Sequence, residues 1–263
     1  MDVRTYSVDE LQTIADEIGT RSGWDFSRMH TEREPVPWDY PDVVARYLTP
    51  TDTVLDVGTG GGERLLGLAN RFRKGVGIDP DPDMVRVAQA NAARAATTHV
   101  TFQQAGAEDL TSFPRETFDV VLTRHAPASA PGLHRVTKPG GYFVCQGIGA
   151  RNMENIRLAF HTGSATQVDE GQRALLSGLR ESGWMIVAQG EYNVRYLVRD
   201  LPSLLFWFSA IAGANEVPSD FAIERHHGVI NDIIQRYGSD RGIETNEHRT
   251  LLIARKASNQ SAE

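Results

Sequence analysis

Two carboxylates frame a run of glycines in this chain. Residues 53–62 read Thr-Val-Leu-Asp-Val-Gly-Thr-Gly-Gly-Gly, and residues 75–80 read Gly-Val-Gly-Ile-Asp-Pro. Asp56 sits near the end of one apolar, strand-like run and Asp79 ends a second, about twenty residues on. A strand, a glycine turn, a helix and a second strand ending in a carboxylate are the parts of a nucleoside pocket at the carboxyl ends of parallel strands. Glycine spacing decides which nucleoside. A dinucleotide fingerprint needs G-x-G-x-x-G, and after Gly58 and Gly60 its third glycine falls on Glu63. The glycines present, Gly58, Gly60 and Gly62, follow D-x-G-x-G-x-G from Asp56.

Electrostatics point the same way. A pyrophosphate set against a helix N-terminus is held by amide dipoles that favour an anion. Asp56 and Glu63 beside that turn would repel it. A ligand with a positive sulfonium and an α-amino group, and no phosphate, tolerates both carboxylates. S-adenosylmethionine fits that description.

The elements that must position these groups are legible around them. Strands are expected near 53–57, 75–79, 99–103, 118–123 and 141–147, alternating with helices, which implies a parallel sheet. Asp81-Pro82 reads as a helix start, with Asp as N-cap and Pro where its missing N–H costs nothing. The helix runs to about Ala95, packing Met84, Val85 and Ala88 inward. Leu11, Ile14, Ala15 and Ile18 share one face of an amphipathic helix over 8–19, and a short helix covers Asp42 to Leu48. Later, 151–160 and 168–182 suit helices, 185–198 is β-prone, 202–214 and 220–237 read as helices, and His248 to Ala254 as a last strand.

Residues 50–148 resemble the class I S-adenosylmethionine-dependent methyltransferases, in the broad group that includes the ubiquinone and menaquinone biosynthesis enzymes. VLDVGTGGGE (54–63) resembles that family's first motif, GVGIDPDPDMV (75–85) its second and AGAEDL (105–110) its third. FDVVLTRHA (118–126) resembles the fourth, and RVTKPGGYFV (135–144) the entry to the fifth strand. The resemblance implies a doubly wound, seven-stranded Rossmann-like sheet closed by an antiparallel hairpin, with both helices of 202–237 inserted before the last strand. It divides the chain into a helical extension or lid (1–48) and a methyltransferase domain (49–263). Within that domain, 200–240 is a helical insertion over the substrate side.

The same resemblance implies a cofactor set of Asp56, Gly58, Thr59, Gly60, Gly62, Asp79, Pro80, Met84, Ala107, Glu108, Asp109 and Arg124. Asp79 accepts the ribose hydroxyls in that reading; helix capping is its alternative. Asp56 meets the methionine amino group or caps the glycine loop. An acidic side chain of Ala107-Glu108-Asp109 meets the adenine, with Asp109 the better match. Met84 packs on the nucleoside or simply in the core. Arg124 and His125 follow strand four, where open sheets bind ligands. His125 is the candidate catalytic base, its ordinary pKa being near neutrality; a polar wall or packed turn residue is the alternative. The sequence there is not the N/D-P-P-Y/F of amino-group methyltransferases. Trp24, Trp38, Tyr40, Phe206 and Trp207 are candidate walls for an apolar or aromatic acceptor.

Composition narrows the alternatives. The formal net charge is −7, without a basic run, which argues against a nucleic-acid modifier; a ribosomal or transfer RNA base methyltransferase stays as the second reading. A cofactor-binding protein without methylation activity is the third. Cys145 is the only cysteine, and the histidines lack metal-ligand spacing, so no metal site is expected. The N-terminal residues lack an apolar signal core and no stretch is long enough to cross a bilayer. A cytoplasmic enzyme, monomeric or homodimeric, acting on a small molecule is the expectation.

Overall fold

A computed structural model describes residues 1–21 and 23–258. Ser7 starts helix α1 (Val8–Ile18) with a capping box, taking the Glu10 N–H on its hydroxyl while Glu10 takes the Ser7 N–H. Strand β1 (Thr31–Arg33) and helix α2 (Tyr40–Ala45) follow. Then come β2 (Thr53–Val57), α3 (Glu63–Gly67), β3 (Lys74–Asp79), α4 (Pro82–Arg94), β4 (Val100–Gln104), β5 (Phe118–Arg124), α5 (Ala130–Val136) and β6 (Thr137–Ile148). The chain continues through α6 (Glu154–Ala159), α7 (Ala165–Glu181), β7 (Trp184–Val198), α8 (Leu201–Ala210), α9 (Ile223–Tyr237), β8 (Gly238–Ser239) and β9 (Gly242–Lys256). Asp81 caps α4 from the Asp83 N–H with Pro82 behind it, as the sequence predicts.

The strands order as β1-β7-β9-β6-β5-β2-β3-β4, with β8 against β9. Pairs β2–β3, β2–β5, β3–β4 and β5–β6 are parallel. The expected α/β sheet of parallel strands with one antiparallel strand is present. Helices α8 and α9 fall between β7 and β9, where an insertion was expected. Two short strands, β1 and β8, add to the anticipated set. Strand β9 begins at Gly242, earlier than the expected His248, because Ile243 is the one apolar side chain in residues 242–247 and no apolar alternation announces the strand.

Contacts divide the chain into two compact units. The one that holds the glycine motif comprises Pro37–Ile148, Asp169–Glu191 and Thr250–Glu263. Here alternation builds two cores, since successive strand residues face opposite ways. Val54, Val120, Leu122 and Val144 join Val43, Leu65, Val85 and Phe102 on one face. Leu55, Val57, Val121 and Phe143 join Leu133, Leu179 and Trp184 on the other. Each such side chain, fully buried, contributes roughly 1.5–3 kcal/mol. Lys256, although buried, ends β9 with its Nζ donating to the carbonyls of His134 and Thr137 and paired with Glu116.

The other unit comprises Met1–Val36, Gly149–Val168 and Tyr192–Arg249. Its core gathers Leu11, Ile156, Leu204, Leu205, Phe208, Ile230, Ile233 and Ile234 from α1, α6, α8 and α9. The apolar face of α8 is therefore met within its own unit by α1. No helix among the described residues is long and apolar enough to cross a membrane.

Candidate active site

Pairing register brings the candidate side chains onto one face of the sheet. Asp56 lies opposite Gly77 on β3 and Leu122 on β5, and Arg124 lies opposite Gln146 on β6. Gly77 and Asp79, like Leu122 and Arg124, are two positions apart, so period-two alternation puts Asp56, Asp79, Arg124 and Gln146 on the same side. All four lie toward the carboxyl ends of adjacent parallel strands. The strand order reverses between β2 and β5, the switch point where open α/β sheets bind ligands.

Both carboxylates are buried, Asp56 at 7% and Asp79 at 8% exposure. Burial pushes the Asp56 carboxyl up to about 6. The Thr59 hydroxyl, which donates to Asp56 Oδ2 at 2.8 Å, and the charge of Arg124 oppose that rise, while Asp79 adds to it. Asp79 accepts the Gly60 N–H on Oδ2 at 2.8 Å and the Asp81 N–H on Oδ1 at 3.0 Å. It thus ties the glycine turn to the start of α4 and leaves lone pairs on both oxygens. Gly58 and Thr59 donate their N–H groups to the Ile78 carbonyl, locking the turn across β3.

Glycine is required here by the protein's own packing. Gly58 and Gly62 have φ of +74° and +76°, in the region that side chains disfavour. A Cβ on Gly58 would lie 2.2 Å from that of Ala126, and one on Gly62 would lie 2.6 Å from the Phe102 ring. Gly60 shares the left-handed conformation with φ +56°.

The remaining candidates divide by what they touch. Asp109 accepts the Gly106 N–H at 2.9 Å and so shapes its own turn; Glu108 is exposed and Ala107 half-buried. Met84 is half-buried and Pro80 exposed. His125 stands just past β5 at φ +60°, its N–H donating to the Gln146 carbonyl at 2.9 Å. Gln146 is buried, and its side chain joins two of the predicted residues: the Trp38 indole donates to Oε1 at 3.1 Å and Nε2 lies 3.4 Å from His125 Nε2. Sequence reasoning missed Gln146. The available signal was an amide directly after the apolar run Tyr142–Cys145. Tyr40 is buried, and its hydroxyl is shared between the Thr123 and Val144 carbonyls at 3.1 Å each. That bond ties α2 to β5 and β6.

Trp24, Phe206 and Trp207 belong to the other unit. There Trp24 stacks on Phe26 at 5.6 Å under the Arg21 guanidinium, and Phe26 meets the Phe206 edge at 6.2 Å. Trp207 tilts against Tyr196 at 5.5 Å. Cys145 is buried and its thiol pushed up to about 12, an inert packing group. His134 sets its ring edge against Trp184 at 6.4 Å.

Comparison with known proteins gives this geometry a context. Residues 54–141 match the family described as "Methyltransferase domain". An uncharacterized methyltransferase of Bacillus subtilis, YcgJ, is 37% identical over 73 residues, which cover 28% of each chain. The crystal structure of the YcgJ protein aligns with a TM-score of 0.58 at 18% identity, covering 84% of this chain and 99% of that one, a likeness of fold. A ubiquinone biosynthesis O-methyltransferase of Alkalilimnicola ehrlichii is 33% identical over 98 residues, covering 35% of this chain and 39% of that protein. A 23S rRNA (uracil-C(5))-methyltransferase of Klebsiella pneumoniae is 39% identical over 89 residues, covering 33% and 20%. In sequence, then, the chain spans well under half the length of each of these curated relatives.

Proposed function

We propose that this chain, whose residues 54–141 form a class I S-adenosylmethionine-dependent methyltransferase domain, methylates a small-molecule acceptor. The observation that carries the reading is the pair Asp56 and Asp79, buried on one face at the ends of adjacent parallel strands with a glycine turn between them. Two buried carboxylates suit a ligand that brings positive charge and hydroxyl donors, and they repel a diphosphate. When bound, S-adenosylmethionine supplies a methyl carbon made electrophilic by a positive sulfur. Asp56, steadied by Thr59, is the anion for the ligand's cationic groups. Asp79 keeps lone pairs for the ribose hydroxyls while holding Gly60 and Asp81. Gly58, Gly60 and Gly62 carry the backbone around the ligand.

The protein's remaining task is alignment. A displacement at carbon needs the nucleophile in line and close, with water kept out, and such positioning lowers a barrier by several kcal/mol, up to roughly 7–11. His125 and Trp38, linked through Gln146, are assigned to the acceptor side. Held by Asp56, Asp79 and the glycine turn, S-adenosylmethionine would supply the methyl carbon and leave with the electron pair of the broken bond on its sulfur.

Calorimetric titration tests this reading. The intact chain is expected to bind S-adenosylmethionine saturably, and Asp79→Asn, which keeps the residue's shape, to bind it about tenfold or more weakly, as loss of a hydrogen bond to a charged group would give. Absence of binding by the parent protein, or saturable NADH uptake that adenosyl thioethers do not displace, overturns it.

A further inference from the structure

The Trp38–Gln146–His125 chain fixes more than a position. An indole N–H can only donate, so the Gln146 atom 3.1 Å from Trp38 Nε1 is the amide oxygen. The amide nitrogen, which can also only donate, then faces His125 Nε2 at 3.4 Å. Nε2 must therefore accept, which places the proton of the neutral ring on Nδ1. The backbone adds a second clamp. His125 is a non-glycine residue at φ +60°, a conformation that persists where the surroundings over-determine it, and its N–H is held by the carbonyl of the same Gln146.

We propose that Gln146 is a positioning residue, oriented by Trp38, that holds His125 in the Nδ1–H form, so that His125 does not serve as the acceptor's base. Protonating Nε2 would set N–H against N–H. Turning the amide to relieve that would set the same clash against Trp38. The lone pair that a general base needs is thus committed inside the protein. The proposal deepens the methyltransferase reading and rests on it for the word acceptor. It also narrows the substrate class: an acceptor whose nucleophilic lone pair is available without proton removal by His125, either an oxygen anion or a neutral nitrogen. Sequence alone admits a base at this position; the amide between two donor-sensitive partners is what argues otherwise.

The test reads the imidazole directly and needs no activity. Long-range nitrogen–proton correlation spectra of the full chain, carrying ¹⁵N-histidine, report the tautomer of each ring, and His125→Gln assigns the signal. Histidine in water favours the proton on Nε2, so an Nδ1–H ring is a state imposed by its surroundings. The parent protein is expected to show His125 at least about fivefold in favour of Nδ1–H, the bias of one hydrogen bond. Gln146→Glu, close in shape, replaces the donor with an acceptor and is expected to move the proton to Nε2. Trp38→Phe frees the amide to rotate and is expected to abolish the bias, giving a second variant should Gln146→Glu not fold. A parent ring with its proton on Nε2, or a tautomer unchanged in both variants, overturns the proposal. Failure to bind S-adenosylmethionine would instead sink the parent reading and leave these spectra as they are.

Discussion

The residue with most to say about the ligand is Asp56. Its carboxyl, pushed up to about 6 by burial, is half neutral near that pH and ionised above it. A cationic ligand binds the ionised form, so affinity for S-adenosylmethionine is expected to rise about tenfold per pH unit below 6 and to level off above about 7. The stability of the ligand-free protein runs the other way. The folded state holds this proton more tightly than the unfolded chain, whose aspartates titrate near 4. The group's contribution is then full below pH 4 and lost as pH rises through 6. Binding isotherms between pH 5 and 8, beside Asp56→Asn, check the sign. A flat profile in the parent protein, or a slope that Asp56→Asn retains, would remove Asp56 from the ligand's contacts. Asp79 differs because its oxygens already hold two backbone N–H groups. Helix capping, the alternative to a ribose role when only the sequence is read, falls to Asp81, and holding the turn leaves Asp79 lone pairs for a ribose.

At the scale of elements, the β2–α3 turn shows what sequence discloses and what it withholds. The glycine spacing, the Asp81-Pro82 cap and the apolar alternation of β2, β3 and β5 are local signals, and the elements they announce are present at nearly the expected residues. What the glycines press against is not local. Phe102 reaches Gly62 from β4, and Ala126 reaches Gly58 from beyond β5. Trp38 meets Gln146 across 108 positions of sequence, and no spacing rule announces such a pair. The edge strand β1, Thr-Glu-Arg and wholly exposed, offers no apolar pattern to read. Two substitutions separate these causes. Gly62→Ala meets a left-handed backbone, worth roughly 1–2 kcal/mol, and the Phe102 ring, worth roughly 1–3 more. Gly67→Ala, at the end of α3 with open space around it, is expected to be neutral or to stabilise by up to about 1 kcal/mol. Urea denaturation of both variants measures the contrast. Equal midpoints would mean that Gly62 is not held as described.

Across the whole molecule, charge bears on whether the acceptor is a small molecule or a nucleic acid. Part of the chain is similar to a 23S rRNA (uracil-C(5))-methyltransferase along 20% of that protein's length. An RNA modifier needs cations free to neutralise phosphates, and the net charge here is −7. Several exposed arginines are also answered locally: Arg4 by Asp2 and Glu10, Arg195 by Glu244, Arg199 and Arg241 by Glu32, and Arg225 by Asp220. Each such pair is worth about 0–1 kcal/mol to stability, yet each sets a carboxylate where a phosphate would have to approach. The protein is therefore expected to bind bulk transfer or ribosomal RNA without saturation at micromolar concentration, and with little change between 50 and 200 mM salt. A protein making six to ten phosphate contacts loses roughly 10³–10⁵ in affinity over that range. Filter binding across the same salt series distinguishes the two: a steep fall would mean that the folded surface gathers a basic face despite its overall charge, and the acceptor would then be a nucleotide within RNA.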